Sequence, residues 1–304
     1  MSEKLLPRIL VIGAMKAGTS SFCTMLARHP RICLPATKEP HTLMGSGEDE
    51  DRVRSYGRMY RGLSTEELIC DGSTGYGKLP WCRDVPARAR RILGNDLRVF
   101  FLVRDPVARA RSHHAHLLRA HPELPEDFCA ALELDATIAR FSLYVPVVRC
   151  WLEEIEESQL RLVSFESLMT DPQSTMRSVF EFLELDGPEA PDVVSSDYAN
   201  RGSDVWQPPA ALAALKSKVS RSRFYKEWVR PGLPDVWVTQ GKRLVRGKQP
   251  KRVAREPSRN ALISLEEQFT PDLSELRRCY GHLIIGSVPQ VAGSRDRAPG
   301  KGSP

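Results

Sequence analysis

Short apolar runs alternate along the chain with longer segments in which apolar residues recur at helical spacing. These patterns predict strands over residues 8–12, 97–103 and 160–163, and helices over 19–28, 106–120, 141–156, 172–183 and 272–280. The alternation is typical of an α/β fold with a central parallel sheet flanked by helices. Ligands of such sheets bind beyond the carboxyl ends of the strands, so we expect the site near residues 13–20 and Arg104.

The composition is that of an ordinary globular protein, with 41% apolar and 27% charged residues in a chain of 304. It predicts one domain over residues 1–286. Residues 287–304 lack apolar periodicity and are rich in Gly, Pro and Ser, which predicts a disordered tail. No apolar run approaches the roughly 20 residues of a spanning helix, and the first strand follows the N-terminus too closely for a signal peptide. We therefore expect no transmembrane anchor.

The net charge is +6, and between Lys216 and Arg255 thirteen Lys or Arg residues stand against two acids, Glu227 and Asp235. This basic segment either closes over a phosphorylated nucleotide, attracts an anionic acceptor, or forms a solvated surface. Nucleic acid is not expected as a partner, because the aromatic residues there form no recognisable stacking motif. The seven cysteines are odd in number and lack C-x-x-C spacing, which predicts reduced thiols.

Residues 13–21 read Gly-Ala-Met-Lys-Ala-Gly-Thr-Ser-Ser and join the first predicted strand to the first predicted helix. Glycines let backbone N–H groups approach an anion, and a helix N-terminus adds positive potential. In nucleoside triphosphatases a lysine follows the second glycine of this loop, but Thr19 stands at that place here. The loop instead suits a terminal phosphate held by hydroxyls and amides, with Lys16 reaching the leaving-group side.

Four segments in a fixed order carry a resemblance to one family. They are K-A-G-T-S-S at 16–21, K-E-P-H at 38–41, D-G-S-T-G-Y at 71–76 and F-F-L-V-R-D-P-V-A-R-A-R-S at 100–112. Together they resemble the sulfotransferases that use 3′-phosphoadenosine 5′-phosphosulfate (PAPS), in the branch of heparan sulfate and bacterial carbohydrate enzymes. The resemblance implies a P-loop-containing nucleotide-binding fold, a sulfotransferase domain over 1–286, PAPS as donor and adenosine 3′,5′-bisphosphate (PAP) as product.

The resemblance also implies which residues bind the nucleotide. The loop contributes Lys16, Ala17, Gly18, Thr19, Ser20 and Ser21. Arg104 and Ser112 match the family's 3′-phosphate segment, and a guanidinium is a planar charged fork suited to phosphate. Tyr144 belongs to an S-x-Y element associated with the nucleotide site, or is alternatively an ordinary packing aromatic.

The acceptor side is assigned to the K-E-P-H and D-G-S-T-G-Y segments. Glu39 matches the acid of the family motif and is expected to be the general base, with Lys38 and Lys16 as cations for the transferred group. His41 is the alternative base. Three residues are expected to line the acceptor pocket: Asp71, Ser73 and Tyr76. The first of these is one methylene shorter than the glutamate usual in the family.

The predicted function is transfer of a sulfuryl group to a hydroxyl or amine of a carbohydrate, glycolipid or other small-molecule acceptor. Two alternatives stay open, a P-loop small-molecule kinase that uses ATP and a non-catalytic nucleotide-binding relative. No metal is predicted, because His113 and His116 share a helix face without a carboxylate beside them. Animal members of the resembled branch are anchored in the Golgi, so the expected lack of an anchor points to a bacterial, cytoplasmic enzyme. The sequence indicates no oligomeric state.

Overall fold

The computed structural model describes residues 5–35, 37, 39–63, 67–186, 253–255 and 257–290. Within these ranges, six parallel strands form one sheet in the order β2-β3-β1-β4-β5-β6. The strands are β1 (Ile9–Gly13), β2 (Ile32–Cys33), β3 (Leu68–Asp71), β4 (Arg98–Val103), β5 (Leu160–Ser164) and β6 (Ile284–Ile285). The predicted α/β fold with a central parallel sheet is confirmed.

Helices follow most of the strands. They are α1 (Thr19–Leu26), α2 (Asp49–Met59), α3 (Val85–Leu93), α4 (Pro106–Leu117), α5 (Phe128–Leu134), α6 (Thr137–Arg140), α7 (Val145–Leu152), α8 (Phe165–Thr170), α9 (Pro172–Phe182) and α10 (Arg259–Tyr280). The helix predicted over 141–156 is shorter, because α7 begins only at Val145, with a proline in its first turn. The helix predicted over 272–280 is longer, since α10 continues through Pro271.

The central strands are buried, and residues 9–12 of β1 are at most 1% exposed. Strands buried on both faces read as continuous apolar runs, which is why β1 and β4 were predictable. β1 pairs with β4 in parallel, with Leu10 opposite Val99 and Gly13 opposite Phe101. The segments that follow these two strands therefore leave the sheet at the same edge.

The phosphate loop, defined here as residues 13–21, takes a backbone path that favours glycine. Lys16 has φ of 73° and Gly18 has φ of 85°, both in the left-handed region. A Cβ built on Gly18 would lie 2.6 Å from the ring of Phe165. Glycine is required at this position both by the backbone conformation and by the ring packed against it.

The last residue of β3, Asp71, is a carboxylate that lies buried in the interior. Asp71 accepts hydrogen bonds from the hydroxyls of Tyr56 and Tyr76, both at 2.8 Å. The Ser73 hydroxyl at 2.6 Å and the Ser73 N–H at 3.1 Å complete its partners. Burial raises the pKa of the Asp71 carboxyl, and these donors act in the opposite direction.

The three residues expected to line the acceptor pocket lie in the interior. Asp71, Ser73 and Tyr76 have no exposed surface. The Ser73 hydroxyl accepts a hydrogen bond from the His41 N–H at 2.9 Å, and the Tyr76 hydroxyl accepts one from the Leu43 N–H at 3.1 Å. In the part of the chain that the structure describes, these residues hold the K-E-P-H loop from within, and their place in an acceptor pocket stays a prediction.

Parts of the sequence predictions fall outside the described residues. Most of the basic segment 216–255 and residues 291–304 of the predicted tail are among them. At the start of that tail, the Ser287 N–H donates to the Ser167 hydroxyl at 2.8 Å. The domain boundary at residue 286 stays a prediction. In the described part of the chain, no helix combines the length and apolar character needed to cross a membrane.

Replacing Gly18 by alanine should destabilise the fold by about 2–4 kcal/mol, because left-handed strain adds to a clash with Phe165. Gly62→Ala is the matched control: Gly62 has φ of 95°, but a Cβ there meets nothing within 4 Å. The control should lose only about 1 kcal/mol. Urea unfolding of both variants checks the difference, and equal losses would refute the packing argument.

Asp71→Ala should cost about 3–5 kcal/mol of unfolding free energy, since three buried hydroxyl donors lose their acceptor. Asp96→Ala serves as control, because Asp96 is exposed between α3 and β4. A surface substitution of this kind should change stability by less than about 0.5 kcal/mol. A loss below about 1 kcal/mol for Asp71→Ala, measured by chemical denaturation, would contradict the proposed network.

Candidate active site

The structure brings the phosphate loop and Arg104 together, as the motifs predict. Arg104 directly follows β4, and its Nη1 donates to the Lys16 carbonyl at 3.0 Å. The guanidinium carbon lies 4.3 Å from the centroid of the Phe165 ring, which is cation–π distance. Burial lowers the pKa of the Arg104 guanidinium. Phe165 is thus in contact with both halves of the predicted nucleotide site.

Arg109 is a second arginine behind the loop, and the motif analysis did not assign it. The side chain is fully buried and its Nη1 lies 3.4 Å from the Met15 carbonyl. Nε donates to the Ser142 hydroxyl at 2.5 Å, and Nη2 donates to the Ile138 carbonyl. Burial lowers its pKa to about 10. Among the residues that the structure describes, Arg109 forms no ion pair.

The burial of Arg109 could have been predicted from the sequence, because it falls on the apolar face of α4. Pro106, Arg109, Ala110 and His113 recur at helical spacing and are all buried. A charged residue on the buried stripe of a helix requires dedicated partners, because burying an unpaired charge costs several kcal/mol. The partners here are carbonyl and hydroxyl oxygens.

The two polar residues of the S-x-Y element form hydrogen bonds to the two arginines. Tyr144 is fully buried, donates its hydroxyl to the Arg104 carbonyl at 2.7 Å and accepts from the Arg104 N–H at 3.2 Å. Ser142 accepts from Arg109. Tyr144 was predicted either to belong to the nucleotide site or to be an ordinary packing aromatic; its hydroxyl is bonded to the backbone of Arg104, and its contact with a nucleotide stays a prediction.

Most of the remaining predicted cofactor residues lie at the N-terminus of α1, and Ser112 lies on α4. Gly18 precedes the helix, which begins at Thr19. Partly exposed side chains belong to Lys16 and Ser20, whereas Ala17, Thr19 and Ser21 are buried. Ser112 lies on α4 with a partly buried side chain. Backbone amides and hydroxyls at a helix N-terminus suit a phosphate.

The K-E-P-H loop places its acid next to the turn that follows β3. The Thr74 hydroxyl donates to Glu39 Oε2 at 2.8 Å, and His41 Nε2 lies 3.4 Å from the same oxygen. Thr74 begins a 3-10 turn, Thr74–Gly77. Lys38 lies outside the described residues. Thr74 belongs to the D-G-S-T-G-Y segment, but no role was predicted for it.

Lys78 directly follows this turn and belongs to no motif. Its Nζ lies 5.9 Å from the centroid of the Phe141 ring. Burial lowers the pKa of Lys78, Arg109 lowers it further, and Glu39 opposes both. No signal in the sequence distinguished this lysine, because its location depends on how the turn packs against β1.

His113, considered above for a metal, lies in the same region. Its ring stacks on Phe141 with centroids 5.6 Å apart. Burial, assisted by Arg109 and Lys78, lowers its pKa to about 2, so the imidazole is neutral at physiological pH. Across the described ranges, no group of three or more His, Cys, Asp or Glu side chains is arranged to hold a metal ion.

Comparison with known proteins agrees with this geometry. A family model described as "Sulfotransferase domain" matches residues 86–198. Mouse heparan sulfate glucosamine 3-O-sulfotransferase 3A1 is 29% identical over 197 residues, which cover 60% of this chain and 47% of that protein. Mouse heparan sulfate glucosamine 3-O-sulfotransferase 6 is 31% identical over 189 residues, covering 59% and 52%. The chain spans about half the length of the curated relatives it matches.

A solved structure extends the similarity to the whole fold. The crystal structure of a sulfotransferase from Alicyclobacillus acidocaldarius superposes with a TM-score of 0.58 and 19% identity, covering 90% of this chain and 94% of that one. The family match spans β4, Arg104 and α4, which form one half of the site described above. The chain is therefore similar to sulfotransferase domains over residues 86–198, and it shares its fold with a sulfotransferase of known structure.

Proposed function

We propose that this protein transfers a sulfuryl group from PAPS to a hydroxyl or amine of an acceptor. The observation that carries the proposal is the contact between the phosphate loop and Arg104, at 3.0 Å. It unites a loop suited to a 5′-phosphosulfate with an arginine suited to a 3′-phosphate, which ATP lacks. PAPS is the donor substrate in this proposal, and PAP is the product.

In this proposal, Lys16 and the N-terminus of α1 bind the 5′-phosphate of the leaving group. Charge grows on the bridging oxygen of the 5′-phosphate as the sulfur–oxygen bond breaks. A cation and helix N-terminal amides that are already in place stabilise that charge without reorganisation. Lys16 fits this role because its partly exposed side chain projects from a loop whose backbone Arg104 fixes. The hydroxyls of Thr19 and Ser20 add donors.

Glu39 is the proposed general base for the acceptor proton. The Thr74 hydroxyl orients its carboxylate at 2.8 Å, and His41 approaches the same oxygen. We assign His41 a supporting role, since its backbone is bonded to Ser73 and its ring lies against Tyr76.

The acceptor class proposed is a carbohydrate or glycolipid. Two observations support it: the names of the curated relatives, which are heparan sulfate glucosamine sulfotransferases, and an exposed aromatic surface beside Lys78. Trp81 is 61% exposed and meets Phe141 edge to face, with ring centroids 5.5 Å apart. A fixed apolar ring of this kind offers a flat face to the C–H groups of a sugar.

Arg104→Ala should remove the preference for PAP over ADP, because ADP has no 3′-phosphate. A charge-assisted contact contributes about 1.5–3 kcal/mol, equivalent to roughly 10–100-fold in affinity. Thermal shift and calorimetry with both nucleotides measure the preference. Arg98→Ala is the matched control: Arg98 begins the same strand and also stacks on a phenylalanine, Phe182, at 5.6 Å. The control should keep the preference.

If the unaltered protein binds ADP as tightly as PAP, the donor assignment is wrong. Loss of the preference in Arg98→Ala as well as in Arg104→Ala would instead indicate a general effect of removing an arginine at either end of β4.

Glu39→Gln should lower turnover by roughly 10²–10⁴ while PAP affinity stays near that of the unaltered protein, because an amide cannot accept the acceptor proton. The assay uses sulfur-labelled PAPS with an acceptor found by screening sugars, glycolipids and phenols. His41→Ala should cost much less. The opposite result, a near-normal rate for Glu39→Gln and an inactive His41→Ala, would make His41 the base.

A further inference from the structure

We propose that Lys78 is a catalytic residue whose ammonium group contacts the non-bridging oxygens of the sulfuryl group during transfer. The inference rests on the proposed function. It assigns a role in the reaction to a residue that lies outside every recognised motif of the chain.

The 3-10 turn connects Lys78 to the proposed base. At its start, the Thr74 hydroxyl holds Glu39 at 2.8 Å, and at its end the Lys78 N–H donates to the Gly75 carbonyl at 3.2 Å. A 3-10 turn rises about 2 Å per residue, so the Cα atoms of Thr74 and Lys78 are separated by about 8 Å. An extended lysine side chain spans most of that distance. The electrostatic effect of Glu39 on Lys78 agrees with this proximity.

The same turn lies against the strand that leads into the phosphate loop. A Cβ built on Gly77 would lie 2.7 Å from the Ile12 carbonyl and 3.2 Å from the Phe101 ring. Ile12 directly precedes Gly13, the first residue of the loop. Lys78 therefore follows a turn that contacts both the proposed base, Glu39, and the strand that leads into the phosphate loop.

Within the described part of the chain, three cations lie around this point. Lys16, Lys78 and Arg109 all lower the pKa of His113, which places their charges around one imidazole. Two described charged groups shift the pKa of Lys78: the Glu39 carboxylate raises it, and the Arg109 guanidinium lowers it. Concentrated positive charge beside low-dielectric walls attracts an anion. The Phe141 ring, stacked on His113 and 5.9 Å from Lys78 Nζ, forms one such wall.

In the step that Lys78 would assist, other residues take up the proton and stabilise the leaving group. The acceptor oxygen forms a bond to sulfur while its proton passes to Glu39. The bond from sulfur to the bridging phosphate oxygen breaks, and its electron pair leaves with PAP beside Lys16. Lys78 neither gains nor loses a proton, and it neutralises negative charge on the sulfuryl oxygens between the two partners.

Lys78→Met tests the charge, because methionine keeps an unbranched apolar stem of similar reach. We expect kcat to fall roughly 10²–10³-fold, with the Kd for PAP changed less than about 3-fold. Lys78→Arg should recover a substantial part of the rate, which a packing role would not require. Arg83→Met is the matched control: Arg83 is exposed five residues further on and should keep normal turnover.

Rates are normalised to PAP-binding sites titrated in each sample, so that loss of folded protein is separated from loss of turnover. A kcat for Lys78→Met within about 3-fold of the unaltered protein overturns the inference. An increase in acceptor KM with unchanged kcat also overturns it, because Lys78 would then bind the acceptor only. If the unaltered protein neither binds PAP nor consumes PAPS, the proposed function itself fails.

Discussion

Two arginines hold the phosphate loop by its backbone carbonyls, and the rest of the site depends on these contacts. Arg104 bonds the carbonyl of Lys16 and Arg109 approaches that of Met15. Lys16 occupies a left-handed conformation that is unfavourable for a residue with a side chain. Buried arginines also cost desolvation energy, which the oxygens of Ser142 and Ile138 partly offset. The fold therefore maintains a strained backbone at Lys16 and, among the described residues, a buried Arg109 charge without an ion pair, next to the loop where an anion is expected to bind.

The acceptor side is organised by a different device, a carboxylate in the interior. Asp71 gathers two tyrosine hydroxyls and Ser73, and Ser73 and Tyr76 in turn bond the backbone of residues 41–43. The proposed base, Glu39, belongs to the loop that this network supports. The motif around Asp71 is itself buried, and its hydrogen bonds to the K-E-P-H loop help to fix the position of the partly exposed Glu39.

Strands such as β1 and β4 were predictable because burial on both faces gives an unbroken apolar run. β2 and β6, with two residues each, carry too few positions for any periodicity, and their place in the sheet depends on neighbours distant in sequence. The motifs predicted that Lys16 and Arg104, in the segments that follow β1 and β4, lie close together, and the structure places them in contact. They did not identify Lys78, because a motif specifies residue types but not the packing of a turn. Burial of the Asp71 side chain was likewise invisible in its sequence neighbourhood.

Phe165 contributes no polar atom, yet its ring lies against Gly18 and under Arg104. The neighbouring Glu166 accepts a hydrogen bond from the N–H of Asp105 at 2.9 Å, so the start of α8 is attached to both halves of the predicted nucleotide site. A site assembled in this way is ordered by protein contacts before any ligand arrives. A nucleotide that binds it pays little conformational entropy for loop ordering, and more of its contact energy remains available as affinity.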